Sequence, residues 1–230
     1  MALGAQAPRE LGILVRRGCR RDGHLRPEGL ALLRRALCHL PGAGRAGLSP
    51  VASESCGGRL AMDVVLTGVE STGKSTLAEA LAAILKRPLV AEAARSYLAQ
   101  RGGRYDEADL LALGRRQWAW ARWPKAPAVL DTDLWTLVLW AEERYGRVAP
   151  WLEAAAAAQG PRFYVLCAPD LPWAPDPLRE HPAEADRQRL HQRYRACLAG
   201  QPWPWVEITG SGPERLERAL AALPPAFTTP

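Results

Sequence analysis

Hydrophobic and polar positions along the chain change rhythm at residue 62. Residues 63–66 (D-V-V-L) form an unbroken apolar run, the pattern of a strand buried on both faces of a parallel sheet. A helical pattern follows over 75–85 (S-T-L-A-E-A-L-A-A-I-L). Further along, the pattern predicts strands at 88–91, 128–130, 162–167 (R-F-Y-V-L-C) and 205–208. Helices are predicted at 93–101, 106–123, 134–145, 150–159, 182–198 and 213–223. Five strands with interleaved helices make an α/β fold, a parallel sheet covered on both faces. Ligands of such sheets sit at the carboxyl ends of the strands. No internal repeat is visible.

Composition divides the chain at the same place. Of 230 residues, 48% are hydrophobic and 23% charged, ordinary for a globular protein of one domain or one domain plus an extension. The net charge of +6 is carried by residues 1–61, which hold ten Arg, no Lys and four acids. All sixteen aromatic residues lie after residue 61. Residues 1–61 therefore read as a basic, low-aromatic extension, disordered or loosely helical (30–40 could form a short amphipathic helix), or as the product of an upstream start codon with Met62 as the working start. An Arg-rich transit peptide, a nucleic-acid-binding tail around Arg16, Arg17, Arg20 and Arg21, and a metal site from Cys19, His24, Cys38 and His39 are competing readings. The last has no C-x-x-C spacing behind it. Residues 62–230 read as the folded domain; their charge is balanced, so the basic hint of nucleic-acid binding does not extend to them. Uncharged stretches are too broken by Pro, Gly and Gln to span a bilayer. Five cysteines show no disulfide framework, and Cys167 and Cys197 read as core thiols of a reducing cytosol.

The first strand runs into Gly68-Val69-Glu70-Ser71-Thr72-Gly73-Lys74-Ser75, which fits G-x-x-x-x-G-K-[ST], with a helix behind it. Gly68 and Gly73 let the backbone wrap a phosphate chain with its N–H groups inward, and the helix adds its N-terminal dipole. Gly68, Glu70, Ser71, Thr72, Gly73, Lys74, Ser75 and Thr76 are thus the predicted ATP-binding loop. Lys74 reaches the β- and γ-phosphates, and Ser75 offers its hydroxyl to Mg2+.

Other residues fall at the same strand ends. Asp131 closes the run A-V-L and can hold the metal; Asp133 suits a helix cap or a substrate hydroxyl. Glu92 follows the second strand, where a carboxylate can accept the proton of an attacking hydroxyl, and Arg95 lies one helical turn on. The proline-rich stretch 170–182 reads as a lid, with Arg179 and Arg187 placed to meet γ-phosphate charge. Gly210 and Ser211 follow the last strand, where small residues would admit adenine. Gln117 and Trp118 sit on a helix toward the acceptor side, Trp118 as a possible stacking surface.

Together, G-V-E-S-T-G-K-S, E-A-A-R-S-Y-L, D-T-D and C-A-P-D-L-P-W-A-P-D-P-L-R-E-H-P resemble the NadR-type ribosylnicotinamide kinase domain, a P-loop kinase group, over about residues 62–223. The resemblance implies strand order 2-3-1-4-5 and transfer of the γ-phosphate of ATP to the 5′-hydroxyl of nicotinamide riboside. It implies Lys74 and Ser75 in the phosphate loop, Asp131 as metal carboxylate and Arg179 as lid arginine, with Glu92, Arg95 and Asp133 at motif positions of open role. The sequence departs from the family at Pro177, where Gly is expected before Leu178. Residues 1–61 hold no nucleotidyltransferase histidine motif. The expectation is a cytoplasmic, Mg2+-dependent small-molecule kinase whose partner is a nucleoside and not a membrane or nucleic acid. A kinase for another nucleoside, and a nucleotide switch without an acceptor, are the alternatives.

Overall fold

The structure is a computed structural model that describes residues 62–228. Every expectation placed on residues 1–61 lies outside the described residues.

The central strand β1 (Asp63–Thr67) is buried from Val64 onward. It joins helix α1 (Lys74–Leu85) through the glycine loop. Then come β2 (Leu89–Val90), α2 (Ala93–Gln100), α3 (Glu107–Ala121), β3 (Val129–Asp131), α4 (Leu134–Tyr145) and α5 (Pro150–Ala157). The chain continues with β4 (Arg162–Cys167), α6 (Glu184–Ala199), β5 (Trp205–Ile208), α7 (Gly212–Ala222) and a short α8 (Pro225–Thr228). The five strands form one sheet in the order β2-β3-β1-β4-β5, and every pairing is parallel. This is the expected α/β fold with its 2-3-1-4-5 order.

Alternation along β1 sorts the core. Val64 and Leu66 meet Leu77 and Leu81 of α1 and Ala219 of α7 on one face. Val65 meets Leu139 of α4 and Leu190, Tyr194 and Leu198 of α6 on the other. A third cluster, around Leu98, Leu113, Leu134, Leu137 and Leu152, packs α2, α3, α4 and α5 together. Burying such residues contributes roughly 1.5–3 kcal/mol each.

Two boundaries differ from expectation. Asp131 is the last residue of β3 rather than the first beyond it, because it pairs in register with Leu66. Helix α8 was not foreseen: Phe227 sits on Phe163, ring centroids 5.7 Å apart, so tertiary packing extends order past Pro224 and Pro225. No helix among the described residues is long and apolar enough to cross a membrane.

Candidate functional site

The phosphate loop is held by sterics and by hydrogen bonds. A Cβ on Gly68 would stand 2.7 Å from the Cys167 carbonyl oxygen, so glycine alone lets the loop leave β1 against β4. Gly73 caps α1 in the left-handed region, at φ 73°. The Thr72 hydroxyl donates to the Val69 carbonyl at 2.8 Å, and Lys74 Nζ donates to the same oxygen at 2.7 Å. From below, Arg215 of α7 donates to the carbonyls of Thr72 (2.6 Å), Gly210 (2.7 Å) and Ala168 (3.2 Å), and pairs with Asp170.

Above the loop, the segment between β4 and α6 forms a lid. The Ser71 hydroxyl donates to the Pro172 carbonyl (3.3 Å) and accepts from the Ala174 N–H (3.0 Å). Arg179 reaches Ser71 Oγ at 3.4 Å and the Ala174 carbonyl. The carboxylate of Glu70 accepts from the backbone N–H groups of Glu180 and His181. Elsewhere the lid is tied by Arg95 to Asp176 (3.1 Å), and by Tyr105 and Arg144 to Glu180 (2.8 and 2.7 Å).

Between loop, lid, α2 and α4 lies a cavity of about 340 Å3 at the carboxyl ends of β1 and β2. Gly68, Glu70, Ser71, Thr72, Gly73, Lys74, Ser75 and Thr76 line it, as do Glu92, Arg95 and Arg179. Thr136, Trp140 and Tyr194 line it as well, and the sequence reading did not pick them out. A second cavity of about 220 Å3 shares Glu70, Leu98, Trp140, Leu178 and Tyr194 with the first. The signal for α4 was the spacing of Thr136 and Trp140, four residues apart and so on one helical face.

Burial raises the Glu92 carboxyl above its ordinary value of 4.5; the Lys74 charge opposes this and the Asp131 charge adds to it. Asp131 is 5% exposed, and its Oδ1 has no partner among the described residues. A buried carboxylate oxygen without a partner suits a hydrated divalent cation, and with the Ser75 hydroxyl it fits Mg2+.

Other predicted residues take different places. Asp133 is corrected from a substrate-binding and catalytic position to a structural one: it is 1% exposed and does not line the cavity. Its carboxylate caps Trp135 N (3.0 Å) and accepts from Gln159 (3.1 Å), Arg162 (2.9 Å) and the Tyr164 hydroxyl (2.8 Å). Gln117 lies behind the cavity wall and accepts from Ala93 N at 2.8 Å. Trp118 packs against the α2–α5 cluster with the Arg122 guanidinium 5.1 Å from its ring, so it offers no stacking face to the cavity. Arg187 is buried under the loop, donating to Leu171 O (3.1 Å) and Ser71 O (3.4 Å). Gly210 and Ser211 do not line the cavity either; the Gly210 N–H goes to Asp170 at 2.6 Å. Arg215 was missed. Its trace in the sequence is a cation in the first turn of a helix, where the dipole disfavours it.

An all-parallel 2-3-1-4-5 sheet, a G-x-x-x-x-G-K-S loop joining its central strand to a helix, and a lid seated on that loop define a P-loop nucleotide-binding domain. A family model described as AAA domain matches residues 63–215, and the chain belongs to that family. Two curated relatives, the trifunctional NAD biosynthesis/regulator proteins NadR of Salmonella typhimurium and Escherichia coli, are each 30% identical, over 133 and 135 residues. These matches cover 54% and 55% of this chain but 32% and 33% of theirs, so the chain spans about a third of the length of these relatives. Among solved structures, NadR protein in complex with NR superposes at TM-score 0.54 with 20% identity, over 71% of this chain and 51% of that one. NadR protein in complex with NAD and AMP-PNP gives 0.53 with 21% identity, over 71% and 49%. Thymidylate kinase from Ehrlichia chaffeensis gives 0.52 with 13% identity, over 70% and 98%. The fold is that of P-loop kinases.

Proposed function

We propose that this chain is a cytoplasmic nucleoside kinase that transfers the γ-phosphate of ATP to the 5′-hydroxyl of nicotinamide riboside, giving nicotinamide mononucleotide. One observation carries the reading: the phosphate loop, the lid arginine and a carboxylate at the β2 end line a single cavity. A switch ATPase can share the loop and an arginine, so the carboxylate at the β2 end is the feature that favours a kinase. The NadR relatives and the NR-bound neighbour support the choice of acceptor.

In this reading the loop N–H groups and Lys74 bind the triphosphate. Arg179, already seated on Ser71, lies against the charge that develops on the transferred phosphoryl group. Ser75 and Asp131 would hold Mg2+, which supplies charge neutralisation on the phosphates. Glu92 accepts the hydroxyl proton; its raised affinity for protons brings it nearer to the working pH of a base. Trp140 and Tyr194 offer ring faces to the base of the nucleoside. Seating of the lid excludes water, so transfer to the acceptor is favoured over hydrolysis.

The test is coupled ADP release by the chain with ATP, Mg2+ and a nucleoside panel headed by nicotinamide riboside. Riboside-dependent release with the mononucleotide as product, lost in Lys74→Ala, is the expected result. Turnover that no nucleoside stimulates would overturn the proposal in favour of a nucleotide switch.

A further inference from the structure

Glu92 occupies the N-cap position of α2 with φ −66° and ψ 118°, yet its side chain makes no capping hydrogen bond. A carboxylate at a helix start is drawn back to the free N–H groups there. Here the first of those donors is already taken. The Ala93 N–H donates to Gln117 Oε1 of α3 at 2.8 Å. That bond fixes the orientation of the amide, since a donor faces its oxygen and Nε2 must point the other way. Gln117 is 3% exposed, and Nε2 has no partner among the described residues. A buried amide left in that state would be costly to the fold.

Beside Gln117 is a third, much smaller cavity of about 10 Å3, lined among others by Glu92, Asp133 and Thr136. It has room for one water and enough polar groups to hold it. Glu92, Ala94 and Thr136 line both this cavity and the large one, so they form the wall between them. The carboxylate of Asp133 is already engaged by Trp135 N, Gln159, Arg162 and Tyr164. Of the two carboxylates on the small cavity, Glu92 is the one left for the Gln117 amide.

We propose that Gln117 is the positioning residue for Glu92. Its carbonyl oxygen serves the first N–H of α2, and its NH2 group, through one water in the small cavity, holds the uncapped Glu92 carboxylate facing the acceptor. This inference rests on the reading of Glu92 as the group that receives the acceptor's proton. A carboxylate free to swing toward the helix N–H groups would lose the alignment on which proton transfer depends. The glutamine thus does two jobs with one amide, and a residue with only an acceptor or only a donor cannot replace it.

Two substitutions separate those jobs. Gln117→Glu keeps an oxygen for Ala93 N and removes the donor; Gln117→Leu removes both. With nicotinamide riboside as acceptor, Gln117→Glu is expected to lower kcat about tenfold or more, as loss of a supporting hydrogen bond does elsewhere. Affinity for an ATP analogue should stay near that of the parent chain, while the new carboxyl, buried beside Glu92 and Asp133, should itself lower the melting temperature. Gln117→Leu should lower kcat comparably and also melt earlier. A purely structural glutamine would move only the melting temperature, and an unimpaired Gln117→Glu would overturn the proposal. Glu92→Gln, assayed in parallel, keeps the two readings apart. If it turns over normally, the base assignment itself falls. If it is dead while Gln117→Glu is normal, only the positioning role falls. A high-resolution crystal structure needs no acceptor: one water within about 3.2 Å of both Gln117 Nε2 and the Glu92 carboxylate supports the proposal, and Nε2 bonded away from Glu92 overturns it.

Discussion

The carboxylate of Glu70 lies 2.9 Å from the backbone nitrogen of His181 and 2.8 Å from its ring Nδ1. A carboxylate only accepts, so that ring nitrogen carries a hydrogen. A variable position of the phosphate loop thereby holds the lid. Glu70→Ala should raise amide hydrogen exchange over residues 176–183 by about tenfold, the effect of losing hydrogen bonds to a charged group. Exchange in α1 should stay as it was. Mass-spectrometric exchange on the unliganded chain checks both.

Arg179 rests on Ser71 Oγ and the Ala174 carbonyl, with its guanidinium carbon 5.8 Å from the Trp173 ring centre. Arg179→Ala should lower kcat on the order of 10³-fold, the scale of arginine contacts in phosphoryl transfer. KM for ATP should change only a few-fold, because in the proposed mode the loop and Lys74 bind the nucleotide. Steady-state kinetics with saturating acceptor gives the answer; an unchanged kcat would remove Arg179 from the chemistry.

Trp140 lines both cavities and stacks near Tyr105, ring centroids 6.3 Å apart. Trp140→Ala should raise KM for the nucleoside about 3- to 10-fold, the worth of one aromatic face, with KM for ATP unmoved. Trp118→Ala should leave both constants alone and cost stability instead. Measuring the pair side by side distinguishes stacking from packing.

The raised Glu92 carboxyl has two consequences of opposite sign. As a base it must be ionised, so the acid limb of kcat/KM for the acceptor should lie above 4.5 and vanish in Glu92→Gln. For stability, a carboxyl whose folded value is raised contributes fully below 4.5 and loses that contribution as pH rises through the raised value. Ionised, the group is therefore a burden, and Glu92→Gln should melt higher than the parent chain. Calorimetry at neutral pH and at pH 4 would show the gain at the first and its loss at the second.

Asp133 and Arg162 form an ion pair with side chains 1% and 5% exposed. Removing one partner leaves an uncompensated buried charge, so Asp133→Ala should cost about 3–5 kcal/mol in urea unfolding. The double variant Asp133→Leu with Arg162→Met should recover much of it. A small effect in the single variant would mean that the Leu134 N–H bond to Gln159 Oε1 is enough to hold the start of α4.

The sheet was legible because each strand is a short apolar run bounded by Gly, Pro or charge, and the glycine loop because its spacing is dictated by phosphate geometry. The walls of the cavity were less so. Both α3 and α4 carry tryptophans, and which one faces the acceptor depends on how the helices are rotated against each other, which no local pattern records. Both Trp118 and Trp140 pack against the same cluster, but of the two only Trp140, one turn on from Thr136, lines the cavity. The D-T-D motif announced a helix cap at Asp133, but the partners that consume its carboxylate lie 26 to 31 residues further along. Gln117 was picked out for the acceptor side, yet it does not line the large cavity and instead bonds the backbone of Ala93, next to Glu92.

Arg215 ties together the Thr72 carbonyl, the end of β4 and the turn after β5. On a ribosome these segments emerge in order, with roughly 140 residues translated between the loop and its arginine, some tens of seconds at the slower rates of synthesis. Until α7 is out of the exit tunnel, the loop made first lacks the guanidinium that braces it from below. A nascent chain stalled before residue 212 should therefore bind nucleotide poorly even with β1, α1 and the lid already made. The geometry thus makes the phosphate loop depend on the last large helix of the fold, although the loop is among the first parts to be made.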